Sequence, residues 1–176
     1  MGSFILLWFW TFVSYSFLGF FLEATYAAAT GGNPDRKGLC VLPLCPVYGV
    51  GACLILALPA GVARNPPVLL LLGGLAATAT EYLSALYHEK VLGVTFWSYQ
   101  GLPGNVQGRV CLLFSCAWGA LAQVLVYWVH PALLPWLMAI PAPVGWTFLG
   151  AVALDGLLSA LLLRRSGDIR CLRRAP

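Results

Sequence analysis

Residues 110–154, VCLLFSCAWGALAQVLVYWVHPALLPWLMAIPAPVGWTFLGAVAL, contain no charged side chain. A helix crosses the hydrocarbon core of a bilayer with about 20 apolar residues, so this stretch alone is long enough for two crossings. Residues 1–22 and 38–63 also lack charged side chains. Hydrophobic residues make up 60% of the 176 positions and charged residues only 9%, against about a quarter charged in soluble domains. The chain is therefore predicted to be an all-α integral membrane protein.

Charged residues and clusters of Gly and Pro divide the chain into five predicted membrane-spanning helices. Their approximate bounds are 4–28, 44–62, 67–87, 108–129 and 144–163. Pro59 is expected to kink or end the second helix, and the proline-rich segment 131–143 is expected to lie in the membrane interface as a connection. We therefore predict one transmembrane domain over residues 1–163 and a basic tail over 164–176; a sixth span at 131–143 is the alternative.

The cysteines give no sign of a metal site. The chain contains six of them, without a CxxC pair or a Cys/His cluster at the spacing of metal ligands. Cys53, Cys111 and Cys116 lie inside apolar runs, where cysteine behaves as a small hydrophobic residue. We therefore expect no metal, no cofactor and no disulfide framework.

The basic residues predict the orientation of the bundle. No Lys or Arg precedes the first apolar run, so we expect a permanent helix rather than a secretory signal. With the N-terminus outside and the C-terminus in the cytosol, nine of the ten basic residues face inward and Arg64 alone faces outward. Five of them fall in the last thirteen positions, where they suit anionic lipid headgroups. The chain has a net charge of +4. We thus expect it to contact membrane lipids and not nucleic acid.

Three carboxylates lie within the predicted spans: Glu23, Glu81 and Asp155. Ionisable groups there are costly and usually face the bundle interior or a cavity. At about 1.5 Å per residue they lie about 8 to 12 Å from the inner ends of their helices. Polar residues at helical spacing accompany both glutamates, including Ser84 after Glu81, so these faces are expected to point inward. Asp155 and Gln123 are expected to contact another helix or a subunit.

The longest predicted connection spans residues 88–108 and alternates aromatic with polar side chains. Two interpretations stay open: an interfacial aromatic belt, or a re-entrant segment that enters a polar cleft. Its members are Phe96, Trp97, Ser98, Tyr99, Gln100, Asn105 and Gln107.

Arg109 follows this connection at the predicted start of the fourth helix, where a cation is poorly placed against the positive helix end. We expect it to pair with Glu81, with Glu23 as the second choice, because arginine forms planar bidentate pairs with carboxylates. Asn105 is expected near the N-cap of that helix. The charged cluster would either fix the helix register or line a polar cavity open to the cytosol.

Three motifs together resemble a known family. They are SYSFLGFFLEATY at 14–26, RKGLCVLPLCPVYGVGA at 36–52 and ATEYLSALYHEKVLGVTFWSYQGLPGNVQGRVCLLFSCAWG at 79–119. As a set they resemble the small bacterial membrane proteins known as ABC-transporter permeases of the CmpB type, over roughly residues 10–131. The family usually has an acidic residue where this chain has Ser98. The resemblance implies a five-helix bundle in the bacterial cytoplasmic membrane.

The resemblance and the buried charges favour a permease-like protein or transporter subunit that moves a small solute or ion through a polar intramembrane cavity. The sequence lacks the phosphate-binding motif GxxxxGK[ST], so any ATPase would be a separate chain; another membrane subunit or a second copy are further expected partners. The candidate cavity residues are Glu23, Glu81, Arg109, Asn105, Tyr48, Tyr99, Trp97 and Ser84.

Two other functions stay open. One is a structural or regulatory membrane subunit, in which the charged cluster only holds helices together. The other is an intramembrane enzyme that acts on a lipid or polyprenyl phosphate, with Glu81 as the base beside Arg109.

The predicted orientation can be tested at Cys171, which lies in the basic tail. A membrane-impermeant thiol reagent is expected to leave Cys171 unmodified in intact cells and to modify it after permeabilisation. An Arg64→Cys variant provides the control, since its new thiol should react in intact cells. Modification of Cys171 in intact cells would show that the orientation is the opposite of the predicted one.

Overall fold

The computed structural model describes residues 2–31 and 39–172, and in these two ranges it contains helices but no strand. Two π-helical turns extend the helices: His88–Leu92 continues α4, and Leu125–Val129 joins α5 to α6. A 3-10 turn, Ile169–Leu172, follows α7. The helices are α1 Gly2–Ala29, α2 Pro46–Leu56, α3 Ala60–Ala63, α4 Pro66–Tyr87, α5 Leu112–Val124, α6 His130–Met138 and α7 Ala142–Ser166.

Four helical runs are long and apolar enough to cross a membrane. They are Gly2–Ala29, Pro66–Leu92, Leu112–Met138 and Ala142–Ser166. Each has 25 to 28 residues, more than the roughly 20 that a crossing requires. The prediction of an all-α membrane protein is therefore confirmed, whereas a count of five spans is not.

The predicted second span, 44–62, is replaced in the structure by shorter helices. α2 has 11 residues, or about 16 Å at 1.5 Å per residue, against a hydrocarbon core of about 30 Å. Pro46 occupies the first turn of α2, and Pro59, which lacks an N–H group, is the N-cap of the four-residue α3. Proline therefore breaks this predicted span into two short helices.

The predicted fourth span, 108–129, also has different bounds. α5 begins at Leu112, and the helical run continues to Met138. Pro131 lies in the first turn of α6, directly after a π-helical turn, and Pro135 lies inside α6. The expected interfacial connection at 131–143 is thus helical as far as Met138, and only residues 139–141 link α6 to α7.

Neighbouring helices pack in the spatial order α7, α1, α2, α4, α5, and α6 reaches back to α1. Glycines permit the closest approaches. A side chain at Gly49 of α2 would overlap Phe12 and Ser16 of α1, and one at Gly74 of α4 would lie 3.1 Å from the Cα atom of Gly119 in α5. Small residues at such crossings let two backbones approach closely inside a membrane.

One end of the bundle, which we call the loop end, gathers the C-terminal ends of α1, α4 and α7 and the N-terminal ends of α2 and α5. The covering loop, residues 93–111, lies there. A buried cluster of Leu92, Val94, Leu163 and Leu172 joins the covering loop to the end of α7. Several basic residues on which the predicted orientation rests lie outside the described residues: Arg36, Lys37, Arg173 and Arg174.

The contact between α4 and α5 generates a stability prediction. In Gly119→Ala the new methyl group would lie 2.5 Å from the Leu70 carbonyl oxygen, and overpacking of this kind costs about 1–3 kcal/mol. We expect a lower midpoint of thermal unfolding in detergent. Gly150→Ala is the matched control, since nothing lies within 4 Å of its added methyl; equal midpoints for the two variants would contradict the packing.

Candidate polar site at the loop end

Glu81 occupies the centre of the loop end. It lies on α4, and only 5% of its surface is exposed. The Tyr99 hydroxyl donates to its Oε1 at 2.6 Å, and the Trp118 indole N–H donates to its Oε2 at 2.9 Å. Both donors are neutral, and within residues 2–31 and 39–172 no basic side chain forms an ion pair with Glu81. The carboxyl group is therefore held by hydrogen bonds rather than by a cation.

Glu23 of α1 belongs to the same network. The Tyr48 hydroxyl donates to Glu23 Oε1 at 2.6 Å, and the Tyr48 ring meets Trp118 edge to face with centroids 5.5 Å apart. Trp118 thus contacts one glutamate directly and the donor of the other. Gly19 makes room for this arrangement, because a side chain there would overlap the Tyr48 ring.

Aromatic rings cluster beside the two carboxyl groups, of which Glu81 is buried and Glu23 is half-buried. Phe114 lies between Tyr99 and Trp118, at centroid distances of 4.9 and 6.3 Å, and Tyr26 of α1 packs against it at 6.0 Å. Burial and the neighbouring Glu81 carboxylate raise the pKa of the Tyr99 hydroxyl well above its ordinary value. Tyr99 therefore remains protonated and keeps its role as a donor.

The expected pairing of Arg109 with Glu81 or Glu23 is wrong. Arg109 pairs with Glu89: its Nε and Nη2 atoms lie 3.0 and 2.5 Å from Glu89 Oε2. The reason is the start of α5 at Leu112, which leaves Arg109 in the covering loop beside the end of α4. These hydrogen bonds raise the pKa of the guanidinium.

Two further groups complete the surroundings of Arg109. Its Nη1 atom lies 3.4 Å from the Tyr82 hydroxyl and also donates to Gln107, and the guanidinium lies 5.4 Å from the centre of the Tyr82 ring. The side chains of the ion pair remain 13% and 27% exposed. Arg109 therefore binds Glu89 near solvent, at the end of the helix that carries Glu81, and lies outside the aromatic cluster.

Asn105 shapes the covering loop instead of capping α5, whose N-cap is Cys111. Its Oδ1 accepts from the Gly108 N–H at 3.1 Å and its Nδ2 donates to the Leu102 carbonyl at 2.8 Å. Gly108 has a φ of +71°, a conformation that glycine adopts without steric cost. The expected N-cap at Asn105 is thus corrected to a turn within the loop.

The remaining predicted residues make other contacts, and Gln123 lies at the opposite end of α4, beside Pro66. Trp97 donates from its indole nitrogen to the Arg109 carbonyl at 3.0 Å. Asp155 Oδ2 accepts from the Leu42 backbone N–H at 3.3 Å, and Gln123 donates to the Pro66 carbonyl at 3.3 Å. Ser84 is half-buried on α4, one turn after Glu81, and none of the described hydrogen bonds to the glutamates comes from it.

Two residues of this polar network escaped the sequence analysis, Trp118 and Glu89. Trp118 occurs within the third motif of the family resemblance, but an apolar helix gives no reason to single out one tryptophan. Glu89 follows Glu81 by eight residues, a little over two helical turns. Its position near the helix end, where an arginine from a loop can reach it, was the available signal.

The fold and the two carboxyl groups beside the aromatic cluster define a multi-pass, all-helical membrane protein with a polar site at one end. A family model described as "Putative ABC-transporter type IV" matches residues 10–159. The chain belongs to this family of ABC-transporter-related membrane proteins, and the resemblance seen in its motifs is confirmed. No curated protein and no solved structure matches the chain.

The hydrogen bond from Tyr99 to Glu81 allows a prediction about the loss of the Tyr99 hydroxyl group. Tyr99→Phe removes the hydroxyl group that donates to Glu81 Oε1 at 2.6 Å. This carboxyl oxygen then loses its hydrogen bond from the loop. We expect the free energy of unfolding to fall by about 1–3 kcal/mol, measured by thermal unfolding in detergent. Tyr87→Phe is the control because 43% of Tyr87 is exposed, and a loss of equal size in both variants would contradict this role.

Proposed function

We propose that the chain is the membrane-embedded subunit of a transport system in the bacterial cytoplasmic membrane, and that it moves a small solute or ion past Glu81. The proposal includes one transmembrane domain over residues 1–163 with a basic tail over 164–176, the N-terminus outside and the loop end in the cytosol. Membership of an ABC-transporter-related family supports this class of function.

The observation that carries the proposal is the state of Glu81. This carboxyl group is 95% buried, as its exposure of 5% implies, and its described partners are neutral. A buried carboxylate without a fixed cation can be neutralised by a proton or by a bound cation. Ionisable residues inside membrane helices often mark ion pathways and proton relays for this reason. Glu81 is thus the proposed point at which the transported ion, or a coupling proton, binds.

The shape of α2 adds support. It has 11 residues, begins at Pro46 beside the site and ends well short of a full crossing. Short and interrupted helices that end inside the membrane commonly form the substrate and ion sites of transporters. Tyr48, in the first turn of α2, donates to Glu23, so a shift of this short helix would alter the polar network directly.

The proposed partner is a separate ATPase or another membrane subunit, because the sequence has no GxxxxGK[ST] motif. In the proposed orientation the loop end and the basic tail face the cytosol, where such an ATPase would lie. A second copy of the chain is the further proposed partner. In two of the four long helices, only 11% of an apolar stretch of 18 residues is buried, which leaves apolar surface for a contact.

A structural or regulatory subunit is the second candidate function. The observation that favours it is the pairing of both Glu81 oxygens, by Tyr99 and Trp118. In this case the network serves to hold α4, α5 and the covering loop together, and ions do not pass it.

Ion flux into proteoliposomes separates the two candidates. The purified protein is reconstituted, a membrane potential is imposed, and the entry of protons, Na⁺ and K⁺ is followed with ion-sensitive dyes. We expect flux of one of these ions above that of empty liposomes, and its loss in Glu81→Gln, because the amide cannot take up a proton or balance a cation.

Asp168→Asn is the control for this measurement. Asp168 is an exposed carboxylate outside the polar site, so its removal is expected to leave the flux unchanged. Flux in Glu81→Gln equal to that of the unmodified protein would contradict the proposal. Absence of flux of all three ions in the unmodified protein would favour the structural subunit.

A further inference from the structure

The covering loop carries Tyr99 and Arg109 on two adjoining arms. The Tyr99 backbone N–H donates to the Gly108 carbonyl at 2.7 Å, and the Trp97 indole donates to the Arg109 carbonyl at 3.0 Å. A side chain at Gly108 would lie 2.8 Å from Gln100, so the arms are in close contact. The backbone positions of Arg109 and Tyr99 are therefore linked through hydrogen bonds between the two arms.

Both arms are held to α4, the helix that carries Glu81. Tyr99 donates to Glu81 itself. Arg109 binds Glu89, two turns further along, and lies on the ring of Tyr82, the residue next to Glu81. The loop is thus attached to α4 by hydrogen bonds, including the one from Tyr82 to Gln107, and by an ion pair near solvent.

The rest of the covering loop is anchored at its two ends. Val94 and Val110 are 5% and 6% exposed, whereas residues 100–107 between them are all exposed. The exposed part of the loop therefore lies between two buried ends, Val94 and Val110. Two polar contacts tie this part of the loop to α4: the ion pair of Arg109 and Glu89, and the hydrogen bond from the Tyr82 hydroxyl to Gln107 Oε1 at 2.8 Å.

We infer that Arg109 is a positioning residue that holds the covering loop closed and thereby keeps Tyr99 over Glu81, so that the loop gates the entry of a proton or cation to this carboxyl group. This inference rests on the proposed function. An ion pair near solvent is weak and sensitive to salt, which suits a contact that must open and close repeatedly. Tyr99 provides the cover, and Arg109 acts through it.

The test measures the rate at which Glu81 reacts with a water-soluble carbodiimide and an amine, by mass spectrometry of the Glu81 peptide at a fixed, mildly acidic pH. In Arg109→Ala we expect the reaction to be about threefold to fivefold faster than in the unmodified protein, the upper part of the range for ion pairs that remain in contact with solvent. Lys90→Ala is the matched control, since it removes an exposed neighbouring charge outside the ion pair.

Salt provides a version of the test that needs no substitution. In the unmodified protein, high salt should screen the ion pair and accelerate the reaction of Glu81. In Arg109→Ala the same salt should have no such effect. A salt-independent reaction in the unmodified protein would overturn the inference even if Arg109→Ala does not fold.

A double substitution distinguishes positioning from a general loss of structure. Tyr99→Ala removes the cover and should accelerate the reaction by itself, and adding Arg109→Ala should then change nothing more. Multiplication of the two single effects, or an unchanged rate in Arg109→Ala, would overturn the inference. Because labelling reports access to Glu81 and not flux, a failed gate and a failed transport function give different results.

Discussion

A carboxyl group buried in an apolar bundle must be hydrogen-bonded, and much of the loop end depends on this requirement at Glu81. An unpaired polar group costs several kcal/mol inside hydrocarbon. Trp118 from α5 and Tyr99 from the covering loop meet the requirement from two sides. Since these donors come from segments far apart in the chain, their convergence holds α4, α5 and the loop in a single arrangement.

Close helix packing makes these bonds reachable. Gly74 and Gly119 bring the backbones of α4 and α5 together, and Gly19 accommodates the Tyr48 ring between α1 and α2. Tyr48 then reaches Glu23, and its ring reaches Trp118. The close glycine contacts therefore bring the helices to the distance at which the polar network can form.

The position of Arg109 in the covering loop brings it to Glu89, and this pairing also limits the cost of desolvation. Burying an ion pair removes two charges from water, and the Coulomb attraction repays this cost only with very good geometry. Glu89 lies at the outer end of α4 and remains 27% exposed, against 5% for Glu81, so its pairing with Arg109 avoids part of that cost. Glu81 is thereby left with neutral donors, the condition on which its proposed role in binding a mobile ion depends.

The class of the protein and the inward face of Glu81 could be predicted from the sequence. Charge-free runs required membrane helices, Pro59 predicted the break after α2, and the spacing around Glu23 and Glu81 indicated inward faces. The tertiary structure decided the partners: Glu89 for Arg109, Trp118 and Tyr99 for Glu81, and a turn rather than a helix cap for Asn105. Periodicity gives the face and depth of a side chain, whereas its partner depends on which helices are neighbours and on the path of the loop. Local sequence also left the length of α2 and the run from Leu112 to Met138 undecided, because prolines are tolerated or excluded according to the contacts around them.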